Sequence, residues 1–116
     1  MMLAHSFVAL LAISATQPGA SAQAQPDAAM LAQAVDRCMT TYAVRLTRTE
    51  ATDEAIFTEA TQGCGPLSGQ LNAAIAREYG ADQSRELLAT IAASARPNFM
   101  QLLQRIRADR QNRANN

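Results

Sequence analysis

Two cysteines are the residues whose type and spacing in this sequence most clearly point to chemistry. Cys38 and Cys64 are the only cysteines, and they lie at equal distances from Ala51, within a turn-like segment. Two antiparallel helices joined by a short turn bring such positions to the same level. Four further pairs share this centre: Leu46 and Ile56, Tyr42 and Ala60, Val35 and Leu67, Leu31 and Leu71. The pattern predicts a helical hairpin closed by a Cys38–Cys64 disulfide.

A redox-active cysteine pair is the alternative interpretation. Redox enzymes mostly use Cys-x-x-Cys, in which one reactive thiol is resolved by its neighbour. Cys38 and Cys64 are far apart and lie in an apolar stripe, and the sequence has no lysine to stabilise a thiolate. We therefore favour a structural disulfide, and thiol oxidoreductase is the least favoured function.

The remaining residue types predict neither a catalytic nor a metal site. The single histidine, His5, lies in a segment that we expect to be removed, so the mature chain has no imidazole for acid–base catalysis or metal binding. Met30, Met39 and Met100 could bind copper(I) as thioethers, but they are not clustered, and we interpret them as core residues. We expect no enzymatic activity, no cofactor-binding residue and no cofactor.

Four carboxylates surround the turn between the two cysteines. Paired carboxylates can act as general acid and base, but acids at a helix start are also expected to cap it and to complement its dipole. We interpret this group as a solvated helix start. Its members are Glu50, Asp53, Glu54 and Glu59.

The basic C-terminal segment is the candidate partner surface. From Arg96 onward there are five arginines and one acid, Asp109, although the formal net charge of the chain is zero. Such an amphipathic helix could dock on an acidic partner or lie on anionic lipid. The alternative, which we favour, is a bundle helix whose arginines face water. The candidate arginines are Arg105, Arg107, Arg110 and Arg113, and the accompanying apolar residues are Phe99, Leu102, Leu103 and Ile106.

The N-terminal residues have the pattern of an export signal. An apolar run from Phe7 to Ile13 is too short for the ~20 residues that span a bilayer. Small residues follow, and they predict a signal peptide over residues 1–22, cleaved after Ala22 or alternatively after Ala24. Export predicts a periplasmic or secreted location, where disulfides form, and makes nucleic acid an unexpected partner.

The periodicity of the remaining apolar residues predicts an all-α protein, a small bundle of about four helices. We expect one domain over residues 26–110 and a disordered tail over 111–116. Pro66 bends or breaks the second helix, and we favour a bend that keeps the two parts collinear. The predicted helices are Pro26–Arg48, Asp53–Tyr79 with Thr52 as its N-cap, one that begins near Asp82, and a fourth that begins at Pro97. We expect Tyr79, in the second helix, and Ile91, in the third, to lie on the apolar, buried side.

A cleaved signal followed by a small all-helical domain with one disulfide resembles the periplasmic acid-stress chaperones of Gram-negative bacteria. The resemblance is one of architecture and carries over no functional residue. It implies a chaperone-like role as one alternative. We expect a small exported binding or interaction protein of the bacterial envelope, with an unidentified protein partner. Membrane association is the less favoured alternative, and the sequence does not indicate an oligomeric state.

Overall fold

A computed structural model describes residues 25–116, and the predicted signal peptide, with both cleavage positions, lies outside the described residues. The described part is all-helical and contains no strand, which confirms the predicted class. Within residues 25–116, no helix is both long enough and apolar enough to cross a membrane. The elements are α1 (Ala28–Leu46), α2 (Asp53–Gly63), α3 (Gly65–Glu78) and α4 (Ala81–Ala114).

Side-chain caps set the starts of α1 and α2. The Asp27 carboxylate accepts a hydrogen bond from the Met30 N–H at 2.8 Å, so α1 begins after Asp27 rather than at Pro26. Thr52 accepts a hydrogen bond from the Ala55 N–H at 3.2 Å, which confirms its predicted role as the N-cap of α2. Both helices therefore begin where a short oxygen-bearing side chain satisfies a free backbone N–H.

The second predicted helix is broken at one residue, Cys64, into α2 and α3. The structure thus has two helices, separated by one residue, where the sequence favours a single bent helix over residues 53–79. Pro66 has no N–H to continue the ladder, and it lies in the first turn of α3, where proline is tolerated. The Cys64 N–H still donates to the Ala60 carbonyl at 2.9 Å, and the Cys64 carbonyl accepts from the Ser68 N–H at 3.0 Å. Backbone hydrogen bonds thus continue through the junction.

The two predicted C-terminal helices form one 34-residue helix, α4, with Pro97 inside it. The prediction of a boundary at Pro97 is therefore wrong. An internal proline costs about 3 kcal/mol, so the packing on both sides of it has to offset that cost. Leu87 and Leu88 pack against one group of buried residues, whereas Phe99 and Leu103 are buried in another. Packing at both ends of α4 outweighs the local preference at Pro97.

The end of α4 also lies further along the chain than the sequence suggested. The helix continues through Ala114, four residues into the segment 111–116 that was predicted to be a disordered tail. Adding residues to an existing helix gains one hydrogen bond for each residue fixed, so extension is inexpensive once the preceding turn is held. Arg110 holds that turn through hydrogen bonds to the end of α1.

Most of the buried apolar residues in the range 25–116 form two separate clusters, each of which we name after its isoleucine. α4 contributes Phe99 and Leu103 to one cluster and packs against the other cluster through Leu87 and Leu88. The Ile56 cluster comprises Ala43, Ile56, Ala60, Phe99 and Leu103. The Ile75 cluster comprises Leu31, Leu71, Ala74 and Ile75.

The clusters contain some of the residue pairs that the spacing predicted. Leu31 and Leu71 lie together in the Ile75 cluster, and Val35 packs against that cluster, whereas its predicted partner Leu67 is in neither. Leu46 packs against the cluster that contains Ile56. Spacing from the turn therefore identified partners in both clusters, although not every pair.

The Cys38–Cys64 disulfide is formed, as predicted. The two Cα atoms are 5.9 Å apart, and Cys64 is 1% exposed. The bond joins α1 to the single residue between α2 and α3. α2 contributes to the Ile56 cluster and α3 to the Ile75 cluster, so one covalent bond holds α1 close to both helices.

Loss of this disulfide should destabilise the protein strongly. Replacing both cysteines by serine is expected to lower the free energy of unfolding by roughly 3–4 kcal/mol, because the bond restricts the unfolded chain. Urea denaturation of the oxidised protein and of the double variant measures the difference. The wild type with reductant should match the variant, and the variant itself should not respond to reductant. A difference below about 0.5 kcal/mol would contradict a structural role.

Alanine substitutions at two glycines are expected to change the stability of the protein in opposite directions. A Cβ at Gly63 would lie 2.0 Å from the Tyr42 hydroxyl oxygen, so Gly63→Ala must displace that ring and should cost about 1–2 kcal/mol. A Cβ at Gly69, inside α3, would meet nothing within 4 Å. Gly69→Ala should therefore stabilise by about 0.5–1 kcal/mol through backbone entropy. Equal shifts in thermal denaturation would refute the proposed packing of Tyr42 on Gly63.

Candidate binding groove

A groove of about 660 Å³ lies where all four helices approach one another. Its lining combines apolar side chains with several hydroxyl and amide groups, one acid, Asp36, and one base, Arg105. Apolar walls with a few polar groups are typical of ligand sites. The larger apolar side chains are Val35, Met39, Phe57, Leu71, Ile91, Phe99 and Leu102.

The groove exists because small residues occupy the middle of α4. Ser94 and Ala95 line it from α4, and Ala32 lines it from α1. Side chains of this size leave the space between the two helices unfilled, whereas larger residues on either side of them reach the two clusters. Ile91, which the periodicity of α4 placed on the buried side, is 39% exposed. The apolar face of α4 is thus left partly unpaired along the groove.

Aromatic and ionic contacts hold the Phe57 wall of the groove. The rings of Phe57 and Phe99 lie 5.5 Å apart in a tilted arrangement, a favourable geometry for aromatic pairs. The Arg96 guanidinium lies 5.7 Å from the centroid of the Phe57 ring and forms an ion pair with Glu54. Phe57 is therefore in contact with another ring and with a paired cation.

Two of the four arginines proposed as a partner surface bind within the chain instead. Arg107 forms an ion pair with Asp53 at 2.7 Å, and so links α4 to the first turn of α2. Arg110 donates to the Thr47 hydroxyl and to the Val44 carbonyl, both at 2.6 Å, and so closes the end of α1. These contacts join α4 to the turn region.

The carboxylates around the turn are correspondingly more than a solvated helix start. Asp53 and Glu54 are the acidic partners of arginines from α4, and their side chains remain 46% and 60% exposed, so these two carboxylates are both solvated and paired. Sequence separation hid the pairing, since Asp53 and Arg107 are 54 residues apart. Their ion pairs link α4 to the first turn of α2.

Arg105 differs from its neighbours because it lines the groove. Its side chain is exposed and makes no hydrogen bond or ion pair with any residue in the range 25–116. Arg113 likewise has no such partner in that range and is exposed, but it lies outside the groove. Of the four candidate arginines, the structure therefore places one, Arg105, in a concave surface.

Of the other residues identified from the sequence, some are packed against a cluster and others are exposed. Met39 and Met100 pack against the Ile56 cluster, whereas Met30 is 59% exposed, so its interpretation as a core residue is wrong. Tyr79, which the helical stripe placed inside, is 40% exposed at the end of α3. Within residues 25–116 there is no group of three or more histidine, cysteine, aspartate or glutamate side chains that could hold a metal ion.

Sequence reasoning did not identify the groove itself. Asp36 and Phe57 gave no recognisable signal, because their significance depends on how far apart α1, α2 and α4 lie. One signal was present: the run of small residues from Ala92 to Ala95 separates the two apolar parts of α4. A break in side-chain size at that point indicates a gap in packing.

Comparison of the chain with protein-family models, with curated proteins and with solved structures gives no match. The groove and the contacts of α4 are therefore the observations on which a function can be argued. The residues of α4 that line the groove and those that contact α1 and α2 are neighbours along the helix.

A comparison of two arginines tests the intramolecular role of the C-terminal segment. Arg110→Ala should lower the free energy of unfolding by about 1–2 kcal/mol, because it removes two hydrogen bonds, one to the buried Thr47. Arg113→Ala is the matched control and should change stability by less than about 0.5 kcal/mol. Chemical denaturation followed by circular dichroism measures both. Equal stability of the two variants would show that the Arg110 contacts contribute nothing.

Proposed function

We propose that this protein is a small exported binding protein of the bacterial envelope that holds an apolar group in the groove. The groove is the observation that carries the proposal. Its volume, about 660 Å³, falls within the range of roughly 300–1,000 Å³ that is usual for ligand sites. Its walls are largely apolar, and its charged groups are limited to Asp36 and Arg105.

Export is supported by the disulfide and by the predicted signal peptide. Disulfides persist in oxidising compartments such as the periplasm, so the Cys38–Cys64 bond is compatible with that location. A domain of this size buries few apolar residues, and a covalent cross-link is a common compensation in small exported proteins. Both features favour a protein that works outside the cytoplasm.

The proposal includes a hairpin of α1 against α2 and α3 as the rigid side of the groove. Three contacts at different heights support it. The Ala28 N–H donates to the Glu78 carboxylate at 2.8 Å, the disulfide joins Cys38 to Cys64, and Ala43 lies in the Ile56 cluster. Binding sites on rigid elements hold their shape, and α4 is then the part that covers them.

The alternatives have less support. Membrane attachment through the basic end of α4 needs its arginines, and Arg107 and Arg110 are already bound within the chain. Thiol chemistry needs an accessible thiol, and both cysteines are in the disulfide, with Cys64 1% exposed. A chaperone-like role would also use apolar surface, but the apolar surface identified in the described residues is a groove rather than a broad face.

A groove-filling substitution tests the proposal. Wild-type protein should bind N-phenyl-1-naphthylamine, a neutral dye that fluoresces in apolar surroundings, with a saturable signal. Ala95→Phe places a ring in the groove and should weaken binding about tenfold or more, which corresponds to about 1.4 kcal/mol. The measurement is a fluorescence titration of the full chain after export.

Ala93→Phe is the matched control for this experiment. Ala93 is an exposed residue of the same helix and does not line the groove. This variant should bind the dye within about twofold of the wild type. Circular dichroism confirms that both variants fold. An absence of saturable binding by the wild type, or equal weakening in both variants, would refute the groove as a binding site.

A further inference from the structure

We propose that α4 is a strap over the groove, and that it closes the groove by bending at Pro97, which swings the first part of the helix towards α1. This closure is a property of the fold and does not depend on which occupant the groove takes. Three observations support it: where α4 is attached, where its hydrogen-bond ladder is interrupted, and which side of the helix the interruption faces.

The middle of α4 belongs to neither buried cluster. From Ala89 to Ala95 every residue is exposed except Ser94, which is partly buried. At 1.5 Å per residue this stretch is about 10 Å of helix. Before it, Leu87 and Leu88 pack against the Ile75 cluster, and after it the Arg96 side chain pairs with α2. The stretch therefore joins two attached parts of α4 without being attached itself.

The part of α4 that follows this stretch is the more firmly held. Phe99 and Leu103 are 4% and 0% exposed in the Ile56 cluster. Side chains of this part also bond to α1 and α2, through Arg96, Arg107 and Arg110.

The part before the stretch has fewer and weaker attachments. Leu87 and Leu88 are only partly buried. The Ser84 hydroxyl donates to the Ile75 and Tyr79 carbonyls at 3.2 and 3.3 Å, close to the start of the helix. From residue 85 to residue 95, no side chain of α4 forms a hydrogen bond or an ion pair with another helix in the described part of the chain. The first part of α4 is therefore the part that moves.

Two residues weaken the helix between the two parts. Pro97 supplies no N–H to the Ala93 carbonyl, and its ring crowds that carbonyl. The Ser94 hydroxyl donates to the Thr90 carbonyl at 2.9 Å, a contact that slightly destabilises a helix and often bends it. Bending is thus least costly where α4 has no attachment.

The interruption faces solvent, and this sets the direction of bending. Ala93 and Pro97 are exposed and do not line the groove, whereas Ile91 and Asn98 do. Helices bend so that the side with the longer hydrogen bonds is convex. A bend at Pro97 is therefore convex towards solvent and carries the first part of α4 towards α1. Ile91, which is 39% exposed, lies on that moving part, and its removal from water favours the closed form.

Distances between nitroxide labels, measured by double electron–electron resonance, test the closure. The two native cysteines are joined in the disulfide, so pairs of introduced cysteines can be labelled selectively. One pair, Gln33→Cys with Ala89→Cys, reports on the first part of α4, and the other, Gln33→Cys with Gln104→Cys, reports on the second part. All three positions are exposed and lie outside the groove lining.

The pair that reports on the first part should give a distance distribution about twofold broader than the other pair, because only that part swings. Pro97→Ala restores the missing N–H. It should narrow the broad distribution to about the width of the other pair and shift its mean to the longer end of the wild-type range. The Gln33–Gln104 distribution should not change. Equal widths for the two pairs in the wild type, or no narrowing in Pro97→Ala, would overturn the closure.

Pro66→Ala is the matched control, because Pro66 lies in the first turn of α3, where its missing N–H interrupts no ladder bond. It should leave both distributions unchanged. If Pro66→Ala narrows the first distribution as much as Pro97→Ala does, the effect is a general stiffening and the closure at Pro97 is refuted. No ligand is added, so failure of the dye to bind would refute the proposed function, whereas these distances alone decide the closure. Circular dichroism confirms that each variant folds.

Discussion

The disulfide between Cys38 and Cys64 is the constraint on which the rest of this small domain depends. Only ten apolar residues are buried among residues 25–116, and three of them are alanines, so burial alone contributes modestly to stability. The bond attaches α1 to the junction of α2 and α3, each of which belongs to a different cluster. It therefore fixes how far α1 lies from the other two helices at the level between the two clusters, which share no buried residue.

α4 is the second element that both cores require. It packs against the Ile75 cluster with one part of its length and contributes Phe99 and Leu103 to the Ile56 cluster with another. Polar contacts from Arg96, near its middle, and from Arg107 and Arg110 attach it to α1 and α2. The groove lies where α4 passes from one core to the other. Attachment on both sides, with small residues between, makes the same helix both a structural element and a wall of the groove.

Local signals in the sequence were sufficient for several parts of this fold. The Thr52 cap depends on one side chain and its own helix, and the disulfide followed from the spacing of two cysteines about a turn. The predicted limits of α1, Pro26 and Arg48, lie two residues outside the observed ones. Each of these features is determined by residues that are neighbours in sequence or symmetric about a single turn.

The features that the sequence did not reveal depend on packing between distant segments. Whether a helix ends at Pro97 is decided by clusters to which α1, α2 and α3 contribute, and not by the residues beside it. The groove and the pairing of Asp53 with Arg107 likewise require the spacing of helices, which no periodicity encodes. Pro97 has a further consequence. It cannot donate to the Ala93 carbonyl, so the hydrogen-bond ladder of α4 is weakest between its two attachments. α4 can therefore bend most readily at that point, between the part that packs on the Ile75 cluster and the part that packs on the Ile56 cluster.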